Sequence, residues 1–364
     1  MNELLASTFL FAIAILCFGL PLVPTIVELG KRGAARPLPV DRTNEGDIRH
    51  FANTFKTLLE SNFRNPTLRE CIDQGVDLQG VLDDGTPYRV LRSTTGTFEP
   101  ATPDSRSIPE LIIFSGSIAV PAGLEFVHGL YAAADIDCGK KTVVRSLYGA
   151  SNVQLREGAV VLRWIHVDNE LIVGAACQLY GRASAEESMR IGRGVEFERL
   201  YAPRLVFENP SIVTPAHVSD GTPCQFVKVK ATRMAGHCYA IDGDLDLPPN
   251  SLIHGDFVVK GAVTIGRNSR VEGSIKSQKR MWIQRGTTIK GSVISSELEI
   301  ESDCRIRGPV VASSEMIIHT GCRLGDEMHP TSVTAPYILV DPGVLAFGSV
   351  WARERGRVGG LIAR

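Results

Sequence analysis

Leu245-Asp-Leu247, Val263-Thr-Ile265, Met281-Trp-Ile283, Leu298-Glu-Ile300 and Met316-Ile-Ile318 are five apolar-x-apolar triplets at spacings of 18, 18, 17 and 18 residues. Six residues after the second apolar position of each stands another apolar residue: Ile253, Val271, Ile289, Ile306 and Leu324. Between them fall Asn250, Asn268, Gly286, Asp303 and Gly321, residue types that tolerate a left-handed backbone. A short alternating strand, a left-handed corner and a second strand make one coil of a β-solenoid. Hairpins would reverse the pattern from strand to strand. Here every unit reads in the same direction, which requires parallel stacking.

The same register runs upstream. Ile118-Ala-Val120, Ile136-Asp-Cys138, Val153-Gln-Leu155, Leu171-Ile-Val173 and Met189-Arg-Ile191 repeat at 18, 17, 18 and 18, with corners at Gly123, Lys141, Gly158, Ala176 and Gly194. Lys141 and Ala176 depart from the residue types that corners favour. Leu205-Val-Phe207 continues the series, residues 208–226 interrupt it with an outward bulge, and Val227-Lys-Val229 resumes it. Ile338-Leu-Val340 follows a second insertion. Twelve to thirteen coils result, and at about 4.8 Å per coil they form one rod roughly 60 Å long. The fold class is all-β, a parallel β-helix. The domains are a first half at 118–207, a second half at 227–354 and a basic Gly/Arg tail at 355–364.

Before the solenoid, residues 4–27 carry no charge. At about 1.5 Å per residue they are long enough for a bilayer core of about 30 Å. Residues 1–30 are therefore read as an uncleaved transmembrane helix, with Leu4, Phe11, Ile15 and Leu20 in the lipid. Lys31, Arg32 and Arg36 follow the span, so the positive-inside tendency places the C-terminal bulk in the cytoplasm, on the inner membrane. Residues 31–62 comprise a linker and an amphipathic helix over about 45–61, started by Asn44, whose Ile48, Phe51, Phe55, Leu58 and Leu59 dock on the solenoid. Residues 63–117, with turn signals at Asp83-Asp84-Gly85, are read as a cap on the first coil.

Eight cysteines show no zinc spacing, although Cys304 and Cys322 share a row of adjacent coils and are read as small buried thiols. Net charge is −1, which gives no general footprint for nucleic acid. The eight histidines share no row, no glycine-rich phosphate loop is present, and no carboxylate cluster with the pattern of a metal site stands out. Ser277 and Ser295 are polar at six-step positions, which breaks the all-apolar hexad of left-handed acyltransferase solenoids. The expectation is a protein without enzyme activity, cofactor or metal.

The outer rows carry the remaining signal. Arg270, Arg305 and Arg323 stack beside Lys290 and Arg307 as a basic face suited to anionic lipid or an acidic partner. Trp282, Ile317 and Leu339 occupy outward strand positions as a lateral apolar contact. End coils of solenoids expose unpaired strand edges, so self-association is expected through the last coil, at Ile338, Val340, Ala346 and Val350.

At the coil template, Met281-Trp-Ile-Gln-Arg-Gly286 followed by Ile289-Lys-Gly-Ser-Val293, the chain resembles the bactofilins. Gly255, Gly273, Gly291, Gly308 and Gly348 repeat the glycine such coils carry. The resemblance covers residues 238–324 well and 118–207 loosely. It implies a right-handed solenoid that assembles without nucleotide into filaments and positions envelope enzymes in bacteria. The expected function is a membrane-tethered, self-associating scaffold for envelope or exopolysaccharide biosynthesis proteins. Its rival is a carbohydrate-active or carbohydrate-binding solenoid, which needs acidic and aromatic residues converging on one groove.

Overall fold

The computed structural model describes residues 47–63, 70, 73, 78–91, 106–208, 225–227 and 230–360. The expected membrane anchor, with Leu4, Phe11, Ile15 and Leu20, lies outside the described residues, as do Asn44, the insertion at 209–224 and the tail at 361–364.

Each coil passes a leading, a second and a third strand, as in Val263–Ile265, Arg270–Glu272 and Ile275–Ser277. Like strands pair in parallel from coil to coil: Leu245↔Val263↔Met281↔Leu298↔Met316↔Ile338 on the leading face. The expected β-solenoid is therefore present, with about thirteen coils. Alternation along each strand sends the apolar rows inward, where Val263, Ile265, Val271 and Ile275 are at most 1 % exposed.

The corners follow from backbone chemistry. Asn250, Asn268 and Asp303 have φ of 59°, 54° and 62°, and Lys141 and Ala176 are left-handed too, at 56° and 54°. The rows above and below thus override residue preference at those two positions. Gly286 takes φ 73°, and a Cβ there would lie 2.4 Å from Asn268 Oδ1. The amide side chain of one coil therefore occupies the space left by the glycine of the next. Several corners are followed by a small inward residue that donates to a nearby carbonyl. Thr287 donates to the Gly266 carbonyl at 3.2 Å, Cys304 to Gln284 at 3.2 Å and Cys322 to Glu301 at 3.0 Å. Cys304 and Cys322 are free, buried thiols as expected. Ser277 and Ser295 also point inward, both 2 % exposed. Ser277 Oγ donates to the Gly261 carbonyl at 2.8 Å and Ser295 Oγ to that of Glu297 at 3.0 Å.

The sequence-based expectation of one rod with its coils in chain order is corrected. The last strand of the first half, Glu196–Phe207, pairs antiparallel with the last strand of the chain, Leu345–Val358: Glu196↔Arg357, Leu200↔Val350, Tyr201↔Ser349, Leu205↔Ala346. Two stacks therefore meet tail to tail. Two helices of one hand joined by equivalent ends must run in opposite senses at the joint, hence the antiparallel register. The first stack's leading face meets the second stack's second face, and the reverse; the third faces meet each other. This is the self-matching pattern of a two-fold interface, built here inside one chain. Val227 starts no coil: its neighbours Gln225–Phe226 pair with Ser251–Leu252 on the second face, at the outer end of the second stack. Glu208 and Gln225 lie seven strand spacings, about 34 Å, apart along the solenoid.

Three boundaries move as a result. The solenoid begins before Ile118, because Ser107–Ile108 and Leu111–Phe114 already pair with the following coil. It ends after residue 354, because Arg355 and Arg357 stack on Tyr337 and Leu339 rather than forming a tail. The last coil is not an end: Ile338, Val340, Ala346 and Val350 are at most 2 % exposed, and Ala346 and Val350 face Leu205 and Leu200 across the joint. The expected self-association through that coil is corrected accordingly. Both outer ends carry antiparallel strands, Leu78–Val81 on Pro87–Leu91 and Thr232–Ala235 on Cys238–Ile241. The first of these pairs falls within residues 63–117, the stretch read from the sequence as a cap.

Replacing Lys141 or Ala176 by Gly relieves a left-handed side chain and is expected to raise stability by about 0.5–1 kcal/mol after the entropy of the added glycine, read as a higher denaturation midpoint. The joint is tested by Tyr201→Cys with Ser349→Cys. Facing Cα atoms in an antiparallel pair lie about 4.5–5.5 Å apart, within disulfide range, so oxidation should close an intrachain bridge; coils in chain order would keep the two thiols many coils apart.

Candidate interaction surfaces

Helix α1, His50–Asn62, starts five residues later than the sequence suggests and has Arg49 at its N-cap without a side-chain cap bond. Its inner face is Ile48, Ala52, Phe55, Leu59 and then Phe63, spaced for one side of a helix. Phe51 lies outside this face and is 48 % exposed. The helix docks on the solenoid as expected, on outward residues of the first stack's third face: Ile113, Tyr131, Tyr148 and Trp164. The Phe55 and Trp164 rings meet edge to face at 5.3 Å. Apolar residues on both sides of these strands were the signal that this face is covered.

Beneath the helix lies a polar cluster that the spacing of the histidines in the sequence does not reveal. Tyr148, His166, Ser184 and Tyr201 share one outward row of successive coils. His166 is 3 % exposed. Its Nδ1 is 2.8 Å from Ser184 Oγ, and its Nε2 is 3.3 Å from Asp168 and 3.8 Å from Glu186. Tyr148 donates to Asp168 at 2.9 Å. From the helix, Arg49 grips Glu186 with contacts of 3.0 and 2.9 Å and lies over the Tyr201 ring, while Lys56 lies over Tyr148. Burial works to raise the Asp168 carboxyl, but hydrogen bonds from His166 and Tyr148, with the Lys56 charge, hold it below the ordinary value. Burial and the Asp168 hydrogen bond push the Tyr148 phenol far above its ordinary value. Ser184 is 1 % exposed, so no substrate carbonyl reaches its Oγ while α1 is docked. What this geometry does is fasten the helix.

The basic face is where the sequence places it, on the second face of the second stack, but it is partly neutralised. Arg270 and Lys290 both pair with Glu272, Lys290 at 2.5 Å, and these contacts hold the Glu272 carboxyl below its ordinary value. Arg307 pairs with Asp326 at 3.0 Å, and Arg323 lies over the Phe347 ring at 5.0 Å. Arg305 shares the row, between Thr288 and Arg323. Across the joint this row continues into Val206 and the first stack's leading face.

Trp282, Ile317 and Leu339 lie together on the second stack's leading face. The joint puts that face on the same side of the solenoid as the first stack's second face. One outward column then runs Val143, Val160, Gln178, Glu196, Arg357, Leu339, Ile317, Glu299, Trp282. Beside it stand Leu162, Tyr180 and Tyr337, exposed by 45, 41 and 43 %. Large apolar side chains, scattered in sequence, thus gather on one side.

Among the described residues, no group of three or more His, Cys, Asp or Glu side chains is placed to hold a metal ion. No described helix is long and apolar enough to cross a membrane. No protein-family model, curated protein or solved structure matches this chain.

Leu59→Ala removes a fully buried contact and is expected to cost about 2–5 kcal/mol of helix docking, seen as faster amide exchange across residues 50–62. Because the Asp168 carboxyl titrates lower in the folded state than in the unfolded one, its stabilisation is complete above the unfolded value, near 4, and is lost as pH falls through the folded one. The Asp168 contribution to docking should therefore be lost below about pH 4.

Proposed function

We propose that this protein is a membrane-tethered, self-associating scaffold of bactofilin type, a right-handed β-solenoid whose work is binding. In this reading residues 1–30 anchor it in the inner membrane with the solenoid in the cytoplasm. Its long sides recruit envelope or exopolysaccharide biosynthesis proteins. The basic face, less charged than its sequence suggests, contributes to contact with anionic lipid or an acidic partner.

One observation carries the reading: two solenoid stacks of this chain join end to end by edge hydrogen bonding, in a self-matching register. The surface chemistry needed for one stack to recognise another is thus present in the sequence. The joint consumes both inner ends, and antiparallel strands cover the third face of each outer one, so the sides are the most extended binding surfaces. Long repetitive sides suit recruitment of several partners at once.

The full chain in detergent micelles should sediment as more than one copy. A pull-down from membranes should retain envelope-synthesis proteins, and that retention should fall when side residues such as Trp282 or Arg305 are changed. A strictly monomeric chain at high concentration would argue against this function.

A further inference from the structure

We infer that the composite apolar side is a docking surface for a second copy of this chain, seated antiparallel across the tail-to-tail joint. The inference rests on the self-association proposed above and assigns it a place. A two-fold axis lying in that face, perpendicular to the solenoid axis at the joint, exchanges each coil of the first stack with the coil equally far along the second stack of the other copy. Columns stay in line, so facing residues can be read from the register.

Nearest the axis, Glu196 meets Arg357 of the second copy and Glu198 lies opposite its Arg355; within one chain Glu196 is already paired in register with Arg357 across the joint. The centre is then a balanced group of alternating charges. One coil outward, Tyr180 faces Tyr337 of the second copy. Two coils outward, Val160 faces Ile317; three outward, Arg145 faces Glu297. These positions follow from the parallel registers of the two stacks. Opposite charges meet at the first and fourth coils; alongside them the same registers set Gln178 against Leu339 and Val143 against Glu299, so the strip between is mixed, with Tyr180, Tyr337, Val160 and Ile317 as its apolar part. A parallel arrangement of the two copies would not produce these pairings. Ten coils at about 4.8 Å, with strands about 13 Å wide, give about 600 Å² a side, near the lower limit for a specific interface. Among the described residues nothing covers this side: α1 lies on the third face, and Glu208 and Gln225 both sit on the opposite side. Several carboxylates on this side, Glu125 and Glu299 among them, disfavour an anionic bilayer as the occupant.

The test uses the full chain in detergent. In Tyr180→Cys with Tyr337→Cys, the two thiols of one chain are three spacings, roughly 14 Å, apart, beyond the reach of a disulfide. Mild oxidation should therefore yield a covalent dimer, absent from either single variant and from the unsubstituted chain. In sedimentation, Arg145→Glu should weaken the dimer about tenfold, and Arg145→Glu with Glu297→Arg should restore it. All four positions lie on the outer surface, so an unchanged β-sheet circular dichroism spectrum confirms folding. An oligomer that ignores both charge reversals and gives no crosslink would overturn this docking surface while leaving the scaffold reading intact. A monomer would overturn both. A monomer retarded in a polysaccharide-containing gel, with retardation lost in Trp282→Ala, would assign the face to a glycan instead.

Discussion

Backbone edge pairing is the constraint on which this molecule depends. A single coil buries too few side chains to hold its backbone in place, so each coil is stable only when hydrogen-bonded to the next. Every stack must then end somewhere, and an open end is a row of unpaired donors and acceptors. This chain removes two of its four stack ends by pairing them with each other, Glu196–Phe207 against Leu345–Val358. The remaining two carry antiparallel strands on their third faces, whose reversed direction interrupts the parallel template there.

From that arrangement the rest follows. Because the joint is antiparallel, the leading face of one stack becomes continuous with the second face of the other. Rows that look unrelated along the chain therefore merge into long sides. One gathers Tyr180, Tyr337 and Trp282; the opposite one carries the arginines at 270, 305 and 323. The third faces meet across the axis, but only the first stack's is covered by α1, above the buried cluster around His166. The pseudo-symmetry of the backbone is broken by side chains, and the helix accounts for the clearest break.

A physical division separates what residues disclosed from what they did not. Corners were legible because a left-handed backbone restricts residue choice at one position per coil, and the rows above enforce it even at Lys141 and Ala176. Inward rows were legible because strand alternation has a period of two. Helix α1 was legible as amphipathic, and Leu59 and Phe55 do face the solenoid. The cluster beneath it was not. His166, Ser184 and Asp168 look like surface residues until something is known to lie over them.

The sequence by itself determined the coil: its length, its corners, its buried rows and the parallel stacking of neighbours. All of these arise from interactions within about twenty residues, repeated in register. Only the tertiary structure decided the order and direction of the two stacks. Leu200 and Val350 are 150 residues apart, and the bonds that join their strands are main-chain bonds, available to any residue type. Val227 resumes the apolar rhythm equally well whether the chain continues upward or turns back from the far end. Nothing local distinguishes the two paths, because an exposed strand edge presents the same N–H and C=O groups in either direction.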